Sequence, residues 1–176
     1  MRPRGVATEE TSKSHLVLRI PLTTTIGRKS FNTVDAHNIV WSTKGELAVA
    51  KFGAAIGPQT LDRITQQLAN DTDTYLILVA KNVVSRFLGH RARILSVHLA
   101  NKSSQFERLA PPYYAELGLA PALWILVNEE FAPTDLREFR LTSSGRPLID
   151  VLQECRTATM LVESKKSDQG SLSRTS

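Results

Sequence analysis

The sequence predicts an α+β fold: a small curved β-barrel of about five to six strands, with helices at its periphery. Three observations predict it. Short alternating or continuously apolar runs recur along the chain, which is strand patterning. Only three stretches carry helical spacing, and each stands singly between strand runs. That order does not suit a doubly wound sheet, where strands and helices alternate throughout. Barrel closure would also remove exposed strand edges.

Taken in order, residues 1–13 are polar and read as a flexible N-terminal segment. Ser14 to Ile20 alternates Leu16, Leu18 and Ile20 against His15, Val17 and Arg19. His37 to Lys44 reads as a polar loop with Trp41 at its edge, passing through Lys44-Gly45 into a strand. That strand sets Leu47, Val49 and Lys51 on one face and Ala48, Ala50 and Phe52 on the other, and ends at Gly53. Pro58 to Leu68 reads as a helix, with Pro in the first turn and Leu61, Ile64 and Leu68 at helical spacing. Thr74 to Ala80 is near-continuously apolar and suits a central strand. Ala92 to Ala100, Leu123 to Val127 and Thr159 to Val162 are further strands. Pro112 to Leu117 is a short helix and Ser144 to Leu152 a late one. Residues 14–163 form one domain, and 164–176 are a Ser-rich tail expected to be disordered.

Of the 176 residues, 41% are hydrophobic and 22% charged, an ordinary globular balance. No apolar stretch approaches a membrane span, and Thr8-Glu9-Glu10 stands where a signal peptide needs an apolar block. One cysteine, Cys155, permits no internal disulfide and fits a reducing cytoplasm; its apolar-periodic surroundings suggest a buried structural thiol. The net charge of +5 is unevenly placed. No acid occurs from Thr74 to Phe106 or from Thr11 to Val34, while Lys and Arg fall in both stretches. Such a distribution makes a positive surface that attracts polyanions.

Catalytic chemistry is poorly represented. Gly53-Ala54-Ala55-Ile56-Gly57-Pro58 lacks the Gly-Lys-Ser/Thr ending of a phosphate loop, and Pro58 removes a cradle amide. The four histidines show no paired metal spacing, and neither a nucleophile elbow nor a nucleophile–base spacing around His37 or His90 is present. No metal or cofactor is expected. Asp150 followed by Glu163-Ser164-Lys165 matches the loose Asp…Glu-x-Lys pattern of metal-dependent nucleases. That match is short and lies where the folded sequence ends.

What remains is binding chemistry, an aromatic platform beside a positive surface. Trp41, Phe52, Phe87, Tyr113, Tyr114 and Trp124 are candidates to stack on an unpaired base. Phe52 and Trp124 sit within strand patterns and read more readily as core. Tyr113 and Tyr114 are ambiguous, because adjacent residues cannot both face inward. Trp41 has two readings: a ligand-facing ring flanked by Asn38 and Ser42, or a plug at one end of the β core.

The run Asn38-Ile39-Val40-Trp41-Ser42-Thr43, then Lys44-Gly45 and Ala50-Lys51-Phe52-Gly53, resembles PUA-like domains of the EVE and YTH type. Tyr75 to Val79 is similar to their central strand, His90 to Val97 to the strand after it, and Pro111-Pro112-Tyr113-Tyr114 with Leu123 to Val127 to the closing helix and strand. The chain departs from the EVE pattern in lacking a Trp-rich N-terminal strand. The resemblance spans roughly residues 14 to 163. It implies a non-catalytic module that binds DNA or RNA through a modified, flipped-out base, in modification-dependent restriction or RNA processing, alongside an effector nuclease protein. Trp41 would form one cage wall, Asn38 and Ser42 would bond the base edge, and Phe87 is the best second wall. Lys44, Lys81, Arg86, His90, Arg91 and Arg93 would hold phosphates without reading sequence. Two alternatives stand beside this reading: a protein-interaction module using the basic face, and the metal-dependent nuclease.

Overall fold

A computed structural model of the chain describes residues 13–21, 23–80, 87–99, 104–155 and 157–165. The expected N-terminal segment (apart from Lys13), the tail beyond Lys165, and Lys81 and Arg86 lie outside these residues. The elements are β1 (Ser14–Ile20), β2 (Thr23–Ile26), β3 (Lys29–Asn32), α1 (Thr33–Lys44), β4 (Leu47–Phe52), α2 (Pro58–Ala69), β5 (Tyr75–Ala80) and β6 (Leu88–Leu99). Then come α3 (Ser104–Glu107), a 3₁₀ turn (Pro112–Glu116), β7 (Pro121–Val127), β8 (Ala132–Asp135), a 3₁₀ turn (Leu136–Glu138), β9 (Phe139–Leu141), α4 (Leu148–Glu154) and β10 (Thr159–Ser164).

The α+β class holds, but among the described residues the sheet is open and no closed barrel is found. Strand order is β4-β7-β6-β5-β1-β10-β9, with β8 paired to β6 and the β2–β3 hairpin separate. Among the described strands only β1 and β5 pair in parallel. Closure fails at β4 for a local reason: its free edge is already covered by chain that is not strand. The Ala48 amide donates to the Leu109 carbonyl at 2.8 Å, and the Ala50 amide to the Tyr114 hydroxyl at 3.4 Å. An edge satisfied in this way no longer needs a strand partner.

One sheet face builds the main core. Leu16, Leu18, Leu47, Val49, Leu76, Leu78, Ala92, Ile94, Leu123 and Ile125 meet there, beneath Val34 and Val40 of α1 and Ile64 of α2. The opposite, outer face carries two smaller clusters. Val17, Ile77 and Val79 pack under α4 through Leu148, Val151 and Leu152. Ala48, Ala50 and Trp124 pack under Phe106 and Ala110. Burial on both faces explains the continuous apolar run of β5. It also takes Lys51 into the interior, where its ammonium donates to the carbonyls of Phe52 and Ala54 at 3.1 and 2.6 Å.

The largest correction concerns residues 37–44, expected as a loop but folded as the second half of α1. Asn32 caps its start, accepting from the Asp35 amide at 3.1 Å. Gly45 ends it at φ 69°, donating its amide to the Trp41 carbonyl at 2.8 Å. The inward face of α1 includes Thr33 and His37, so apolar spacing gave no helical signal. The late helix starts at Leu148, not Ser144, because Gly145 at φ 71° and Pro147 hold a turn before it. Cys155 is half-buried at the end of α4. No helix among the described residues is long and apolar enough to cross a membrane.

Candidate functional site

The 3₁₀ turn Pro112–Glu116 organises the aromatic residues of the chain. Pro111 and Pro112 pre-set its backbone, and the tight turn sends its two tyrosines to different places. Tyr114 reaches the edge of β4, while Tyr113 stacks on Phe31 of the hairpin, centroids 6.3 Å apart and rings 12° from parallel. Both are therefore engaged, and the ambiguity of adjacent residues is resolved.

Tyr114 is locked by His37. The His37 Nδ1 lies 2.6 Å from the Thr33 carbonyl and its Nε2 lies 2.5 Å from the Tyr114 hydroxyl. A carbonyl only accepts, so Nδ1 carries the proton and Nε2 accepts from Tyr114. Burial holds the imidazole neutral, with its pKa pushed down to about 4, the Thr33 bond opposing. Burial likewise pushes the Tyr114 hydroxyl well above the usual range.

On the outer face, Tyr114 stands edge-on to Phe52, centroids 5.1 Å apart, and 6.3 Å from Trp124. These rings, with Pro111 and Leu119, wall a cavity of about 400 Å³. Trp124 is only 1% exposed, and its indole N–H is buried with no acceptor among the described residues. A buried donor without a partner costs about 1–3 kcal/mol. A second cavity of about 220 Å³ lies on the other side of Phe52 and Tyr114, lined also by His37, Lys51 and Thr33.

The expected pocket residues do not share this site. Trp41 is on α1, half-buried and packed against the main core; the cavities around the 3₁₀ turn have other walls. Asn38 is spent on the chain itself: its Nδ2 donates to the Phe131 carbonyl at 3.0 Å and its Oδ1 accepts from the Phe131 amide at 2.8 Å. Ser42 Oγ donates to the Ile39 carbonyl at 3.0 Å. Phe87, 42% exposed, lies in a separate cleft with Leu88, Pro133 and Asp135, under the Arg137 guanidinium at 4.9 Å. The Trp41–Asn38–Ser42–Phe87 cage is thus not assembled. Phe52 and Trp124, stacking candidates that read more readily as core, line the cavity beside Tyr114, because a strand face becomes a cavity wall where its cover is incomplete.

The expected phosphate contacts divide by strand alternation. Arg91 and Arg93 project from the outer face of β6, whereas His90 shares the inner face with Ala92 and Ile94. Arg91 lies over the Tyr75 ring at 4.7 Å, and Arg93 pairs with Asp73 at 2.8 Å. Burial lowers the His90 pKa, partly offset by the Asp35 carboxylate. Lys44 donates to the Arg108 carbonyl. A bulge between Ile94 and Ser96 brings Arg93 and His98 onto the same outer face, and the span from Arg93 to His98, whose strand partner is Trp124, is about 13 Å.

The nuclease-like carboxylates are not joined. Glu163 is held by Arg140 at 2.7 Å, and Asp150 lies in the first turn of α4. Among the described residues no group of three or more His, Cys, Asp or Glu could hold a metal. One pairing escaped sequence reasoning: Ser96 Oγ lies 2.8 Å from His98 Nε2, on one face of β6. Nothing among the described residues holds the other imidazole nitrogen, so the orienting partner of a nucleophilic triad is missing. No protein-family model, curated protein or solved structure matches the chain.

Proposed function

We propose that the chain is a non-catalytic module that captures a nucleobase swung out of a DNA or RNA strand, in the cavity walled by Phe52, Tyr114 and Trp124. One observation carries the reading: three aromatic rings, Phe52, Tyr114 and Trp124, wall a cavity of about 400 Å³. Flat apolar walls favour a base, which offers them a π-face to stack on. Extruding the base is what a protein must do to reach it inside a duplex. A methyl modification would add about 0.8 kcal/mol per buried carbon. The net charge of +5, with Arg91 and Arg93 on the same outer face, supplies attraction to phosphates. A cytoplasmic setting and an effector nuclease acting with the module belong to this reading.

The test is a panel of plain, methylated, hydroxymethylated and phosphorothioated oligonucleotides at two salt concentrations. Each lost stacking wall is worth about 1–3 kcal/mol, so Phe52→Ala should weaken binding roughly 5- to 150-fold. Trp41→Ala should leave the preference among oligonucleotides unchanged. Equal affinity for every oligonucleotide, unaffected by Phe52→Ala, would remove the base-capture reading.

A further inference from the structure

The third cavity of the 3₁₀ turn lies on its other flank and has a different character. Phe31, Ala36, Ile39 and Tyr113 form an apolar floor of a groove of about 430 Å³, with Asp35 and Glu116 at its rim. Ile39 is 64% exposed, an unusual position for a large aliphatic side chain beside a stacked aromatic pair. Asp35, Ala36 and Ile39 share one face of α1 by helical spacing, so the charge and the apolar anchor point the same way. Neither Asp35 nor Glu116 makes an ion pair among the described residues, and the groove is lined by no Lys or Arg. In a chain of net charge +5, this is a local reversal of sign.

We propose that the groove is a docking site for a basic amphipathic segment of a partner protein. An apolar side chain of the segment would sit on Phe31, Ile39 and Tyr113, and flanking Lys or Arg side chains would meet Asp35 and Glu116. The floor supplies contact energy and the two carboxylates select the sign of the partner. An acidic segment meets two like charges, and a nucleic acid is repelled by the same pair. The groove shares only Pro112 with the Phe52–Tyr114–Trp124 cavity and does not depend on base capture.

The experiment uses the full chain and two dye-labelled helical peptides of equal length, one of Leu and Lys, the other of Leu and Glu, read by fluorescence anisotropy. The Leu/Lys peptide should bind saturably. Ile39→Ser and Glu116→Lys should each weaken it on the order of tenfold. The Leu/Glu peptide should not saturate. Both positions are at the surface, and matching melting curves verify that the variants fold. Oligonucleotide binding should be unchanged in Ile39→Ser. Absence of saturable Leu/Lys binding, or equal affinity for wild type, Ile39→Ser and Glu116→Lys, overturns the proposal.

Discussion

Acidification from pH 7 to pH 4 should cost this fold much of its stability, because two imidazoles are buried in the neutral form. His37 is 1% exposed between Thr33 and Tyr114, and burial holds its pKa at about 4. His15 is 5% exposed at the start of β1, where Nδ1 accepts from the Tyr75 amide at 3.1 Å. Burial, with Arg91 and Lys13 adding to it, also lowers its pKa to about 4. Both groups take up a proton near pH 6.5 once unfolded. Between pH 6.5 and 4 the unfolded chain therefore binds more protons, and stability falls as pH falls. Below about pH 4 the folded form protonates too and this contribution levels off. Each depression is worth about 3 kcal/mol in full, and each imidazole gives a slope of about 1.4 kcal/mol per pH unit inside the window. His90, also lowered by burial, adds with the same sign. Asp135, held at about 2 by Arg137, loses its contribution mainly as pH falls from about 4 towards 2, at the low edge of this window and with the same sign. Urea unfolding followed by tryptophan fluorescence from pH 7 to 4.5 measures the slope, and His15→Asn and His37→Gln should each reduce it. A flat stability profile, or a slope unaltered in both variants, would refute the burial argument.

Two further predictions concern contacts that hold the fold. Asn38→Ala removes both bonds to the Phe131 backbone and should cost about 1–3 kcal/mol in urea unfolding, while oligonucleotide selectivity stays as in the wild type. A change in selectivity at unchanged stability would return Asn38 to the ligand. Gly89→Ala places a Cβ 2.6 Å from Leu136 Cδ2 and 3.2 Å from the Leu78 carbonyl, so it should destabilise by about 1–3 kcal/mol, seen as a lowered melting temperature. A variant melting with the wild type would mean that the Leu136 side chain yields freely.

The amino-acid order by itself determined the α+β class and most of the strands. Alternation at Ser14 to Ile20 and the apolar run at Thr74 to Ala80 arise from burial of one face or both, and Pro58 marked the start of α2. These are local signals, repeated every two or about 3.6 residues. The β2–β3 hairpin escapes the pattern because its strands, Thr-Thr-Thr-Ile and Lys-Ser-Phe-Asn, carry one large apolar residue each. Helix α1 was missed because polar Thr33 and His37 occupy its buried face, satisfied by partners remote in sequence.

The location of the cavity was decided by tertiary structure alone. Trp124 and Phe52 are on neighbouring strands, and Tyr114 arrives from a turn more than sixty residues after β4. Whether a ring on a strand face is core or wall depends on what covers it, and the cover comes from elsewhere in the chain. Trp41 illustrates the converse. Its polar neighbours suggest a loop, yet the Asn32 and Gly45 caps wind them into a helix that turns the indole against the core. Residue types reveal which groups are able to stack, bond or repel, but only packing settles which of them still face open space.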